Sequence, residues 1–220
     1  MRRVVVFDLD DTLFPEWQYI FSGFRAVDRW LVQNRQCAGF FDHAKALFDA
    51  GARGNIFDRA LEQLGLRAEK SFVDELVRVY REHPPALTLY DDARWAIDFL
   101  RSRGPLGLLT DGYLVAQQKK YAALNIADAF QSVVFSDALG RDCWKPSPVP
   151  YRKIMSEIPG APADYVYIAD NPRKDFIGAR ALGWRTIQIA RPGGIYFHEK
   201  VAAEYLPDQI IPTLRDLESL

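Results

Sequence analysis

The sequence predicts an α/β protein built on a doubly wound parallel sheet, with an all-helical segment inserted after the first strand. Two patterns predict it. Short, continuous apolar runs recur at helix-length intervals in the first residues and again through 86–220, the signature of strands buried on both faces and joined by crossover helices. The stretch 15–85 has no such run and instead carries apolar residues at helical spacing.

The first run is Val4 to Phe7, continuous rather than alternating. Equivalent runs follow at Leu106 to Leu109, Val133 to Phe135, Tyr165 to Ala169 and Thr186 to Ala190. Between them, Asp91 to Ser102 places Trp95, Phe99 and Leu100 at helical spacing, and Leu114 to Leu124, Pro148 to Ile158 and Asp175 to Leu182 also read as helices. In the insert, Trp17, Ile20, Phe21, Phe24, Val27 and Leu31 fall on one helical face, and Phe72, Leu76, Val79 and Tyr80 on another. Asp42 to Ala50 and Asn55 to Leu64 lie between, with Gly51, Gly54 and Gly65 as breaks. These aromatics are expected to pack a helical bundle. The break His83-Pro84-Pro85 closes the insert, so residues 1–14 and 86–220 are expected to form the core and 15–85 a helical cap.

Composition narrows the function. The 220 residues are 49% apolar and 26% charged with a formal net charge of −1, the profile of an ordinary soluble globular protein with no basic field to attract nucleic acid. Cys37 and Cys143 stand far apart with no CxxC pair, so neither a zinc site nor a disulfide framework is expected. The start MRRVVVFDLD reaches carboxylates after four apolar positions, too few for a signal-peptide core or a membrane span. The expected location is cytoplasmic, with the chain starting directly on a strand.

Four segments carry chemistry. The first strand ends in Phe7-Asp8-Leu9-Asp10-Asp11-Thr12, at the sheet edge where open α/β folds bind ligands. An Asp pair there can be a turn or a helix cap; three clustered acids repel and are usually reconciled by a cation. Thr110-Asp111-Gly112 follows the second run and offers a hydroxyl and backbone N–H groups to an anion. Lys145 precedes a helix whose start is set by proline, and is either a surface lysine or an ammonium aimed into the site. Asp170 ends a strand and Asp175 follows it; alone, they could be helix-terminal acids.

In this order the four segments resemble the motifs of the haloacid dehalogenase-like superfamily, in which DxDxT is Asp8, Asp10 and Thr12, the strand-end hydroxyl is Thr110, the lysine is Lys145 and the acidic pair is Asp170 and Asp175. The helical insert is similar to that family's first cap type, and the sheet to its Rossmann-like core. The resemblance implies a phosphohydrolase in which Mg²⁺ is held by the Asp8 carboxylate, the Asp10 main-chain carbonyl and Asp170. Asp8 would be the nucleophile, Asp10 the general acid and base, and Lys145, Thr110 and the Asp111 N–H the phosphate contacts. Asp175 and Thr12 would support this set from behind, Asp175 by acting through the metal's outer shell or by positioning Lys145. Asp10 argues against a dehalogenase, because haloacid dehalogenases lack an acid there.

A small phosphorylated metabolite is the expected partner, with sugar phosphates or nucleotides favoured. Phe14, Trp17 and Arg25 are candidate substrate contacts, against a plainer reading of cap packing for the aromatics and a solvated face for Arg25. A phosphomutase, or a non-catalytic cation-binding relative, would carry similar motifs. One departure is Ala169, where the family often has Gly before the acidic motif; it matters if that position needs positive φ.

Overall fold

A computed structural model of the chain describes residues 3–220. Six strands, β1 (Val4–Phe7), β2 (Leu106–Thr110), β3 (Ser132–Phe135), β4 (Tyr165–Ala169), β5 (Arg185–Ile189) and β6 (Gln209–Ile211), form one sheet in the order β3-β2-β1-β4-β5-β6. Every pairing is parallel. The chain winds outward from β1 in both directions, so the crevice at the C-terminal ends of β1 and β4 is the topological switch point where ligands bind in such sheets.

β1, β2 and β4 are buried along their whole length, as their continuous apolar runs require. Helices α7 (Val149–Glu157) and α8 (Asp175–Ala181) belong to the core that seals this part of the sheet, which contains Val6, Leu109, Tyr151, Ile154, Tyr167, Phe176 and Trp184. Helices α5 (Asp91–Arg101) and α6 (Leu114–Leu124) are the crossovers around β2. β6 is an addition to the predicted set. It has three residues and Ile210 is exposed, so it lacks the apolar run that marks a central strand. It is pinned instead by Asp208, whose carboxylate accepts from the N–H and the hydroxyl of Thr186 at 2.8 Å each.

The chain divides into two compact units, Met1–Pro15 with Thr88–Leu220, and Glu16–Leu87, against expected junctions after residues 14 and 85. The second unit comprises α1 (Glu16–Arg35), α2 (Phe40–Asp49), α3 (Ile56–Gln63) and α4 (Lys70–Glu82). Its core gathers Phe24, Val27, Leu31, Phe40, Leu47, Leu61 and Leu76. α2 starts ahead of its expected Asp42 because Asp28 of α1 caps it from outside, accepting from the N–H groups of Gly39 (2.9 Å) and Phe41 (3.3 Å). Trp17 departs from the predicted buried face: it is 51% exposed on the first turn of α1. Cys37 and Cys143 are free thiols, half-buried rather than enclosed. No helix among the described residues is long and apolar enough to cross a membrane.

Candidate active site

β1 runs directly into Asp8, whose N–H donates to the Ile168 carbonyl of β4 at 2.8 Å. That bond fixes the side chain at the end of the central strand, 6% exposed. Lys145 arrives from the other side of β2, in the loop between β3 and α7. Its ammonium donates to Asp8 Oδ1 at 2.7 Å and to Tyr167 Oη at 2.9 Å, and lies 2.6 Å from Asp175 Oδ1. The last contact is an ion pair without hydrogen-bond directionality, so this buried carboxylate oxygen has no hydrogen-bond donor. Tyr167 in turn donates to the Leu109 carbonyl at 3.3 Å, which links β4 to β2 behind the lysine.

Asp175 begins α8 and is fully buried. Its Oδ2 accepts from the Asn171 N–H at 3.0 Å, and its carbonyl accepts from Tyr151 Oη at 2.7 Å. Asp170 lies at the end of β4, and one carboxylate oxygen from each of Asp8, Asp170 and Asp175 falls within 4.8 Å of the others. Ala169 and Asp170 have no positive φ, so the Ala in place of Gly costs the turn nothing. Asp11 does have positive φ, 51°. Aspartate tolerates that region better than most residues, and it lets the chain turn sharply after Asp10.

The surroundings oppose the charges placed there. Burial pushes the Asp8 carboxyl up to about 7, although the Lys145 ammonium works against the rise. Asp170 keeps a partly exposed edge but is otherwise enclosed by protein, and burial, then Asp175, Asp8 and Asp11, hold its carboxyl well above the usual range. Burial also acts against the charge on Lys145, but Asp175 and Asp8 outweigh it and keep the ammonium charged. Two ammoniums, Lys145 and Lys174, face the carboxylates of Asp8, Asp111, Asp170 and Asp175, which leaves the pocket short of positive charge. The donors of Asp8, Asp170 and Asp175 are all hard carboxylate oxygens, the ligand type that a small divalent cation prefers, and one from each residue lies within 4.8 Å of the others. The Thr12 hydroxyl is buried without a partner among the described residues, while its carbonyl accepts from Arg191 Nη2 at 3.0 Å.

Other predicted residues take partners that the sequence did not suggest. The Thr110 hydroxyl donates to Gln117 Oε1 at 3.3 Å. The Asp111 carboxylate is a staple: it accepts from Ser136 Oγ (2.6 Å), from the Lys145 N–H (3.2 Å) and from Lys174 Nζ (3.0 Å). Burial disfavours its charge, yet Lys145 and Lys174 bring its carboxyl below the ordinary range. Burial and Lys145 push the Lys174 ammonium down, and Asp175, Asp111 and Asp8 more than offset them. Asp10 is gripped by Lys120 and Gln117. Phe14 has no exposed surface and cannot touch a ligand. Its loop folds back through Leu13 N–H to the Leu9 carbonyl, with Tyr90 N–H bonding the Leu13 carbonyl, 2.9 Å in both cases. Within the helical unit Trp17 leans on Phe21, and the Arg25 guanidinium lies 4.0 Å over the Phe41 ring.

Helix α8 meets the Lys145 loop at Gly178, where an added Cβ would lie 2.5 Å from the Pro146 carbonyl and 2.9 Å from the Tyr151 ring. Backbone cannot yield as a side chain can. Gly178→Ala is therefore expected to destabilise the protein by about 1–3 kcal/mol and to lower activity by shifting Lys145, both seen by comparing thermal melts and turnover with wild type.

A profile of the haloacid dehalogenase-like hydrolases matches residues 2–183. The chain belongs to this family. Among its relatives, the glyceraldehyde 3-phosphate phosphatase of Methanopyrus kandleri is 28% identical over 87% of this chain and 85% of its own. The phosphoserine phosphatase of Thermus thermophilus is 32% identical over 63% of this chain and 55% of its own. Two solved structures are similar in fold: the putative HAD-hydrolase YfnB of Bacillus subtilis (TM-score 0.70, 19% identity, covering 99% and 97% of the two chains) and a putative beta-phosphoglucomutase of Thermotoga maritima (TM-score 0.70, 18% identity, 99% of both). In this haloacid dehalogenase-like hydrolase the motif residues of β1, β2, β4 and the Lys145 loop stand at one edge of the sheet.

Cation loading is expected to be linked to protons. With Asp8 near 7 when folded and 3.8 ordinarily, the cation-free protein carries an extra proton between those values. That proton stabilises the fold fully below the ordinary value, and the stabilisation is lost as pH rises through about 7. A cation must displace the proton, so Mg²⁺ is expected to raise the melting temperature more at about pH 8 than at about pH 5, as thermal melts at the two values would show.

Proposed function

We propose that the chain is a divalent-cation-dependent phosphohydrolase, acting in the cytoplasm, that removes phosphate from a small phosphomonoester through an aspartyl-phosphate on Asp8. The observation that carries this reading is the convergence on Asp8: Lys145 at 2.7 Å, and Asp170 and Asp175 within 4.8 Å. That is the arrangement needed to offset a dianion brought up to a carboxylate nucleophile. The phosphatase names of the M. kandleri and T. thermophilus relatives support the same substrate class.

In the proposed mechanism Asp8, Asp170 and the Asp10 carbonyl would hold Mg²⁺, which would supply positive charge to offset the phosphoryl oxygens. The Lys145 ammonium, 2.7 Å from Asp8 Oδ1, takes part of the remaining charge, and Asp175 positions it. The Thr110 hydroxyl, on leaving Gln117 Oε1, and the Asp111 N–H would orient the other phosphoryl oxygens. An Asp8 oxygen attacks phosphorus as the bond to the leaving oxygen breaks, and Asp10 delivers a proton to that oxygen. Asp10, now a carboxylate, takes a proton from water, whose oxygen attacks the same phosphorus. Asp8 leaves as a carboxylate, and phosphate is released. The substrate is proposed to be a sugar phosphate or nucleotide-like phosphomonoester, whose sugar or nucleoside hydroxyl is the leaving group, in keeping with a relative named for a three-carbon sugar phosphate.

The test is phosphate release across glyceraldehyde 3-phosphate, phosphoserine, hexose phosphates and nucleoside monophosphates, with and without Mg²⁺. The reading expects Mg²⁺-dependent release from at least one of them without any added sugar bisphosphate. Isomerisation of a sugar phosphate that depends on a bisphosphate, with little phosphate released, would replace it with a phosphomutase.

A further inference from the structure

Gln117 and Lys120 stand three residues apart on α6 and are each 3% exposed. A lysine this buried is rare unless it is paired. Its ammonium donates to both oxygens of Asp10, Oδ1 at 2.7 Å and Oδ2 at 2.8 Å. Gln117 Nε2 donates to Asp10 Oδ2 and to the Asp111 carbonyl, both at 2.9 Å, so its two N–H groups are spent. Its Oε1 accepts from the Thr110 hydroxyl. One amide thus ties together the ends of β1 and β2. Room for it is made by Gly112, which has φ +134° and whose added Cβ would stand 2.4 Å from Gln117 Nε2.

We infer that Lys120 and Gln117 are positioning residues that hold the Asp10 carboxylate in one orientation and in register with Thr110 for proton transfer. Asp10 is a short side chain on a turn, with Asp11 in the left-handed region beside it, and its side chain is 19% exposed. The two donors of α6 fix its orientation, so a proton is delivered and withdrawn from one place. The inference rests on the phosphohydrolase reading, in which Asp10 is the acid and base. Neither residue belongs to the four motifs that the sequence singles out.

The test is a double-mutant cycle on turnover of an alkyl phosphate. Lys120→Met keeps the chain length and removes the charge; it is expected to lower kcat on the order of 10²-fold, the scale of a small misplacement of a catalytic group, with KM little changed. Gln117→Met is expected to act in the same direction and serves if the lysine variant does not fold, with thermal melts reporting folding. In an Asp10→Asn background, where the held carboxylate is gone, Lys120→Met is expected to cost nothing further. An equal loss in both backgrounds, or a raised KM with kcat intact, would overturn the inference. So would a fully active Lys120→Met in an enzyme whose wild type turns over, and that result leaves the phosphohydrolase reading standing. A wild type silent on every phosphomonoester would remove both.

Discussion

Asp8→Asn is expected to abolish Mg²⁺-dependent phosphate release, with a loss on the order of 10⁴- to 10⁶-fold, as when the nucleophile of a covalent mechanism is removed. The amide is nearly isosteric and still accepts the Lys145 hydrogen bond, so the pocket loses charge and nucleophilicity rather than shape. Removing an ionisable group that is costly to bury should leave the cation-free protein at least as stable as wild type near neutral pH. The combination of a dead enzyme and an undiminished melting temperature separates a nucleophile from a structural acid. Steady-state phosphate release and a thermal melt on the same preparation check it.

Lys145→Met is expected to have the largest combined effect on activity and stability. The lysine side chain is fully enclosed and supplies the ammonium for Asp8 and Asp175 at 2.7 and 2.6 Å. Taking away one partner of a buried ion pair costs about 3–5 kcal/mol, because the other charge stays buried; for a chain of this size that is a fall of roughly 6–20 °C in melting temperature. Two conditions should reduce the deficit: acid pH, where the stranded carboxylates protonate, and millimolar Mg²⁺, which replaces the missing positive charge. Turnover should fall on the order of 10²- to 10³-fold, the scale of losing one donor to a developing oxyanion, and Mg²⁺ should not restore it. Melting temperatures across pH with and without Mg²⁺ would show the pattern, and a pH-independent loss would contradict it.

Much of this site was readable in the sequence because each motif stands at the end of a continuous apolar run. Such a run must be a strand buried on both faces, and parallel strands present their C-terminal ends to one edge, so Asp8, Thr110 and Asp170 had to share that edge. The partners were harder to read. Tyr167 reads as one more apolar strand residue, and its hydroxyl matters only because β4 lies next to β1, a strand order that local pattern does not determine. Lys120 and Gln117 lie outside the four motifs, and nothing near them in sequence reveals that their helix α6 reaches the turn carrying Asp10. Ser136 and Lys174 are likewise defined by the loops that meet Asp111. Phe14 stood between a substrate contact and packing, and the fold-back of its loop, anchored through Leu13 to Tyr90, buries it. β6 escaped because an edge strand held by an aspartate needs no apolar run.

Asp8 itself is proposed to take the phosphoryl group. That step is tested most directly by rapidly quenching the Mg²⁺-loaded enzyme during turnover and weighing the peptide that contains residues 4–14. A peptide heavier by one phosphoryl group is expected, with the mass on Asp8 and absent from Asp8→Asn. Turnover by wild type with no such adduct, together with an active Asp8→Asn, would contradict that step.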